Sequence, residues 1–167
     1  CGVEPEEEKR SGGAGMLRRT LEFLSAVTDR PLCGVFDYDR AGYEGFAGLN
    51  KQAFSAGVDA AHKQHAAKKV HALLLPVPAQ RSNFVNTTKP IHSFMSIEHY
   101  FADNLLQTFG FSLAPVVAGS QVFEIDGTPK QKLSFAGAAA EFDATEFANF
   151  RALFDRLQSM GLYEKLA

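Results

Sequence analysis

Apolar positions along this chain switch between helical spacing and short unbroken runs, and the switching predicts alternating helices and strands. Leu17, Leu21, Leu24 and Val27 recur at helical intervals, which predicts an amphipathic helix over residues 16–28. Asp29-Arg30-Pro31 ends it, because proline lacks a donor and disfavours helix in the residue before it. Leu32-Cys33-Gly34-Val35-Phe36 is a continuous apolar run between breakers, the pattern of a strand buried on both faces in a parallel sheet. Asp37 to Asp39 mark its exit. The spacing of Tyr43, Phe46, Ala47, Asn50 and Phe54 then predicts a second helix over about 42–56. Residues 70–75 repeat the buried-strand pattern and stop at Pro76-Val77-Pro78, and 79–95 are polar and irregular. Ser96 is placed to cap a helix carrying Ile97, Phe101, Leu105 and Phe109. Val116-Val117 and 122–125 are further strand candidates, the latter ending in the Asp126-Gly127 turn. Residues 143–160 predict a final helix with Phe147, Phe150, Leu153, Phe154 and Leu157 inward.

This order predicts an α/β fold, a mainly parallel layered sheet flanked by helices. Residues 1–15, acidic and then glycine-rich, are expected to form a flexible lead-in, and 16–167 a single domain, the size that 167 residues suit. The net charge of -2 gives no bulk attraction for a polyanion, so any nucleic-acid binding must come from a local patch or from bound cations. Two cysteines make no disulfide framework, which points to a reduced, cytoplasmic setting. Cys33, inside an apolar run, is expected to be an inert core thiol. No run approaches a membrane span, so no membrane partner is expected, and no signal peptide opens the chain. A start on Cys1 rather than Met fits a fragment or a processed product.

Chemistry concentrates at Asp37 and Asp39. Residues two apart at a strand end project to the same face, and working residues in layered α/β sheets gather beyond the carboxyl ends of strands. Two neighbouring carboxylates repel unless a cation joins them. A hard ion such as Mg²⁺ or Mn²⁺ takes one or two carboxylates and keeps waters for the rest of its shell. Phosphate oxygens exchange into such positions, which is the basis of metal-assisted phosphodiester chemistry. Alone, an Asp-x-Asp pair is more often two solvated turn residues; here it ends a buried strand and precedes Ala41-Gly42 and a helix.

Val35-Phe36-Asp37-Tyr38-Asp39-Arg40-Ala41-Gly42 resembles the Asp-x-Asp strand of TOPRIM domains, found in topoisomerases, bacterial primases and OLD-family (overcoming lysogenization defect) nucleases. Leu73-Leu74-Leu75-Pro76-Val77-Pro78, Ile97-Glu98-His99-Tyr100-Phe101, Lys132-Leu133-Ser134-Phe135-Ala136 and the Phe147, Phe150, Phe154 helix resemble later segments of the nuclease branch, in the same order. The resemblance implies a Rossmann-like TOPRIM sheet and cleavage of DNA with Mg²⁺ or Mn²⁺. It also implies an N-terminal ATPase or other module in the full-length protein and a role in phage defence or DNA repair; a homo-oligomer is left open. TOPRIM domains open with a strand ending in Glu, followed by a helix and a second strand. Only one helix precedes Asp37 here, so the chain resembles a TOPRIM domain without its first βαβ portion, Cys1 to Glu4 being the tail of the second strand. Such a fragment is expected to be inactive alone.

Within that resemblance Asp37, Asp39 and Glu98 hold the metal, and Lys132 neutralises charge on the phosphate. Each has a plainer alternative: Glu98 complements a helix dipole, and Lys132 is an exposed lysine after a hairpin, with Lys130 equal to it on charge. Arg40 and Arg81 are candidates to contact backbone phosphates. His62 and His65, three apart on an expected helix, lack the further ligands of a zinc site. Gly12-Gly13-Ala14-Gly15 lacks the Lys-Ser/Thr of a phosphate loop. The alternatives are a catalytically degenerate TOPRIM-like module that binds nucleic acid or protein, another TOPRIM activity (primase or topoisomerase), or a signalling domain whose Asp pair receives phosphate or metal.

Overall fold

Helix α1 (Ala14–Val27) starts inside the stretch assigned above to the lead-in, and it ends, as the Asp-Arg-Pro breaker dictates, at Val27. The computed structural model describes residues 13–162, so a strand tail at Cys1 to Glu4 lies outside the described residues. The chain divides into two compact units, Cys1–Leu75 and Pro76–Ala167.

In the first unit, β1 (Leu32–Phe36) and β4 (Val70–Leu74) occupy the two apolar runs and pair in parallel, from Leu32 against Val70 to Phe36 against Leu74. Between them in sequence lie α2 (Arg40–Ala47), β2 (Phe54–Ala56) and β3 (His62–His65). The sheet order is β1-β4-β3-β2, with β3 antiparallel to both neighbours. The sheet is therefore mixed rather than mainly parallel. Its reason is connection length: residues 57–61 and 66–69 are long enough only for hairpins, whereas the β1-to-β4 crossover contains a whole helix. Flanked on both sides, β4 is buried at every residue, while β1 alternates half-buried and buried positions. Helix α1 lies close on β1 at Gly34, where a Cβ would stand 2.9 Å from Leu21 Cδ2.

Helix α2 stops at Ala47 instead of running to residue 56. Asn50 turns the chain: its side-chain oxygen accepts the Gln52 N–H, and its carbonyl accepts from Ala53 and Phe54. Lys63, reaching from β3, donates to the last carbonyls of α2 at Phe46 (2.9 Å) and Ala47 (3.1 Å).

The second unit contains single 3₁₀ segments at Ala79–Phe84, Pro90–His92 and Ile97–Tyr100, then α3 (Asp103–Thr108). The helix predicted from Ser96 is thus two pieces, broken where Phe101 adopts extended backbone and turns its ring into the core. Strands β5 (Ser112–Pro115) and β6 (Phe123–Asp126) pair antiparallel, and Val116 and Val117 fall in the connecting loop, exposed. Helix α4 (Pro129–Ala138) was not foreseen from the hydrophobic spacing. The predicted last helix is a 3₁₀ run, Ala144–Phe150, followed by α5 (Arg151–Ser159), with Phe154 facing outward. The core here is phenylalanine: Phe101 meets Phe135, Phe150 and Phe147 edge-on at ring-centre distances of 4.8, 5.2 and 5.6 Å. Such edge contacts add to area burial, and they account for a chain rich in Phe without Trp. Among the described residues, no helix is long and apolar enough to cross a membrane.

Candidate functional site

The chain leaves β1 through Phe36, Asp37, Tyr38 and Asp39, with the two aromatics buried and the two carboxylates half-buried between them. That alternation puts Asp37 and Asp39 on the opposite side of the chain from the core-seeking rings. Asp39 is also the N-cap of α2, its Oδ1 accepting the Gly42 N–H at 2.7 Å. Gly42 closes the loop against Asp37: a Cβ there would stand 2.0 Å from the Asp37 carbonyl oxygen. Between Asp37 and Gly42 the chain is a two-residue strand, Tyr38–Asp39, running straight into the first turn of α2, and glycine is needed there for close approach, not for an unusual φ. Arg40 pairs with Glu44 at 3.1 Å on the exposed face of α2.

Glu98 and Lys132 belong to the second unit and form an ion pair of 2.8 Å, with the Glu98 side chain 14% exposed and Lys132 50%. Burial by itself would raise the Glu98 carboxyl, but hydrogen bonds from Lys132 and Ser96 and the Lys132 charge outweigh it and hold Glu98 below the ordinary range. Lys132 follows a helix start, Thr128 and Gln131 capping one another's backbone, rather than standing loose after a hairpin. Lys132 keeps two further ammonium donors beyond the one on Glu98.

Arg81 is committed to its own unit. Its guanidinium donates to the carbonyls of His99 (3.2 Å) and Phe101 (3.4 Å) and to the Asp103 carboxylate, and it lies over the rings of Phe84 and Phe123. A cation so engaged braces the fold instead of reaching for a backbone phosphate.

The histidines are ordered in ways the sequence did not suggest. His62 lies on β3, not on a helix; its Nδ1 accepts the Val58 N–H at 3.1 Å, so the other ring nitrogen carries the proton and donates to His71 Nδ1 at 3.0 Å. The two rings stack at 5.2 Å, both buried, and burial, then the His62 and Lys69 charges, hold His71 below its ordinary value. Gly57 makes room, since a Cβ there would meet His62 Nδ1 at 2.1 Å. His99 likewise accepts the Ser96 N–H and donates to the Phe123 carbonyl, and burial lowers it. Burial pushes the Cys33 thiol up to about 12, in keeping with an inert core group.

A cleft of about 460 Å³ opens in the second unit between the 83–94 stretch and the β5–β6 loop. Nothing in the spacing of residues pointed to it, because it is assembled from two loops distant in sequence.

Among the described residues, no group of three or more His, Cys, Asp or Glu side chains is gathered as metal ligands. The donor set of Asp37 and Asp39 fits an ion that takes two carboxylates and keeps its other positions for water and phosphate oxygens, as Mg²⁺ does, and does not fit a closed protein cage. No family model, no curated protein and no solved structure matches the chain.

Proposed function

We propose that the chain is the TOPRIM-like part of a divalent-metal-dependent DNA endonuclease of the OLD type. The observation that carries this reading is the Asp37–Gly42 strand-to-helix junction. It sets two carboxylates immediately beyond the carboxyl end of a strand in parallel pairing, closed onto a helix by a glycine that no other residue replaces. Asp37 and Asp39 hold Mg²⁺ or Mn²⁺; Asp39, with one oxygen on the Gly42 N–H, is fixed in direction by the helix it caps. When bound, the ion polarises a phosphate oxygen and makes a bound water acidic. Within the second unit Glu98 places Lys132, whose remaining ammonium donors suit phosphate charge. Glu98 as a direct metal ligand is the weaker assignment, since its carboxylate already receives Lys132 and Ser96. A module preceding this one, a cytoplasmic setting and work in phage defence or DNA repair complete the reading.

The test is calorimetric titration of Mn²⁺ into the chain beside Asp37→Asn/Asp39→Asn and Glu98→Gln, followed by plasmid cleavage by the full-length protein carrying the same changes. Saturable binding lost in the double variant, with cleavage lost alongside, supports the proposal. Equal heats for wild type and double variant reject it. A second reading, a catalytically degenerate module that binds nucleic acid or protein, is favoured by one observation: Glu98 and Lys132 neutralise each other. DNA binding that persists without Mn²⁺ binding or cleavage would select it.

A further inference from the structure

Two imidazoles meet inside the first unit, His62 on β3 and His71 on β4, 2% and 5% exposed. They form a chain of hydrogen bonds that starts at the backbone: Val58 N–H donates to His62 Nδ1 at 3.1 Å, and His62 Nε2–H donates to His71 Nδ1 at 3.0 Å. Val58 belongs to the tip of the β2–β3 hairpin, residues 57–61, and its own side chain is exposed. The tip is shut on the ring, since a Cβ at Gly57 would collide with His62 Nδ1. Gly57 N–H on the His62 carbonyl and Leu74 N–H on the Ala61 carbonyl, each at 2.9 Å, hold it further. Because Leu74 is the partner of Phe36 in the parallel pair, the tip stands level with the end of β1.

This chain of hydrogen bonds has no room for one more proton. Placed on His62 Nδ1, it faces the Val58 N–H. Placed on His71 Nδ1, it faces the His62 Nε2–H, and moving that second proton to His62 Nδ1 restores the first conflict. Every charged form of the closed pair therefore buries two opposed donors, adding an unmade hydrogen bond to the cost of a buried charge. Opening the tip relieves both by giving the rings and the Val58 N–H water instead. The surrounding groups do not neutralise the charge. Strand β1 brings Cys33 beside His71, a thiol pushed up to about 12 and so uncharged. Strand β2 (Phe54–Ala56) carries no titratable side chain. On β3 itself Lys63 and His65 take the other face, Lys63 on the α2 carbonyls and His65 against Phe54. The 66–69 turn brings Lys68, paired with Asp29, and Lys69, whose charge opposes protonation of His71. Asp59 is the carboxylate of the tip, exposed, with Oδ1 on the Ala61 N–H. We infer that the His62–His71 pair is a proton-sensitive latch: neutral, it holds the hairpin tip closed, and on taking up a proton it releases residues 57–61. The inference needs no assumption about the reaction the chain carries out. Burial, then the His62 and Lys69 charges, hold His71 below its ordinary 6.5, so the closed form takes up the proton less readily than the open one. Opening is therefore favoured as the pH falls below about 6.5, about tenfold per unit for each proton taken up.

Amide hydrogen exchange of the whole chain, followed by NMR and corrected for the intrinsic pH dependence of exchange, reads the latch directly. Protection at Val58 should fall about thirtyfold between about pH 7.5 and about pH 5, the ratio set by one proton with an open-state pKa of about 6.5. The Leu75 N–H, bonded to the Phe36 carbonyl at 2.9 Å, should stay better protected than Val58 at both pH values. In His62→Asn the side-chain oxygen still accepts the Val58 N–H but takes up no proton, so Val58 protection should no longer depend on pH. Ring-nitrogen shifts of the wild-type chain give a check that needs no variant. His62 should carry its proton on Nε2 near neutral pH, and the pair should gain a proton over the same pH range in which Val58 loses protection. The latch is overturned by any of four results: pH-independent protection at Val58 in the wild type, a fall that persists in His62→Asn, equal protection at Val58 and Leu75, or a His62 proton on Nδ1 near neutral pH.

Discussion

Asp39 caps α2 and is proposed to bind a metal ion, two roles whose requirements differ measurably. As an N-cap it needs only an oxygen to accept the Gly42 N–H, which asparagine supplies as well as aspartate. As a metal ligand it needs the charge. Asp39→Asn should therefore shift stability by less than about 0.5 kcal/mol while Asp39→Ala costs about 1 kcal/mol, and both should lose Mn²⁺ binding in calorimetry. Retained Mn²⁺ binding in Asp39→Asn would reduce the residue to a cap. Protonation acts at the same scale. Burial holds His71 and His99 below their ordinary value of 6.5, so the unfolded chain takes up these protons more readily than the folded one. Their contribution is complete above about pH 6.5 and falls as the pH drops below it. Glu98, held below 4.5, contributes above that value and loses its share only as the pH falls further, through its own lowered pKa. Urea midpoints should accordingly decline in two stages on acidification, and His99→Gln should flatten the first stage. A midpoint constant from pH 7.5 to 5 would refute it.

Where an element was bounded by residues of fixed backbone preference, its limits were legible. Strand β1 spans Leu32 to Phe36 as its apolar run predicts, because Pro31 precedes it and the Asp37 turn follows. The position of Asp37 and Asp39 just beyond β1 was legible for the same reason, since it depends on a few adjacent residues and little else. Helix α2 shows the failure. Its apolar spacing continues through Phe54, and Phe54 is indeed buried at 3% exposure, but as a strand residue after the Asn50 turn. Spacing identified what is inside without identifying the element that puts it there. The strand His62–His65 has no apolar alternation at all, and it is held by pairing on both sides. Helix α4 did carry a signal in Thr128-Pro129 with Gln131, a cap and a proline at the first turn. Partnerships across long sequence separation, such as Glu98 with Lys132, left no local trace even though both residues drew attention. Lys63 is another, and it yields a prediction for α2. Its ammonium meets the helix's last two carbonyls and stands 4.9 Å from the centre of the Phe46 ring. Lys63→Met should cost about 1 kcal/mol in urea denaturation, the scale of a cation at a helix C-terminus, while Lys63→Arg recovers part of it. Lys63→Met leaving the midpoint unchanged would show that the carbonyls are equally well served by water.

At the scale of the whole molecule, the charge of -2 restricts how DNA can be held. Three cations that the sequence offered for phosphate are paired within the fold: Arg81 with Asp103 and two carbonyls, Arg40 with Glu44, and Lys132 with Glu98. Affinity that comes from neutralising phosphates falls with salt, with a slope of about -0.9 for each phosphate contacted on duplex DNA. A chain of net charge -2 should therefore show a shallow slope, about -2 to -3, far from the roughly -6 or steeper expected of a basic domain making many contacts. On the proposed reading divalent ions change this balance, because an ion held by Asp37 and Asp39 would bridge the chain to phosphate. Duplex binding should then be weak in EDTA and strengthen on adding Mn²⁺, with the gain absent in Asp37→Asn/Asp39→Asn. Fluorescence anisotropy of a labelled duplex across a salt series, with and without Mn²⁺, measures both quantities at once. A steep slope in EDTA would place the DNA on a basic surface and remove the need for the metal bridge. A shallow slope with a gain from Mn²⁺ that survives the double variant would leave metal-dependent binding in place but take it away from Asp37 and Asp39.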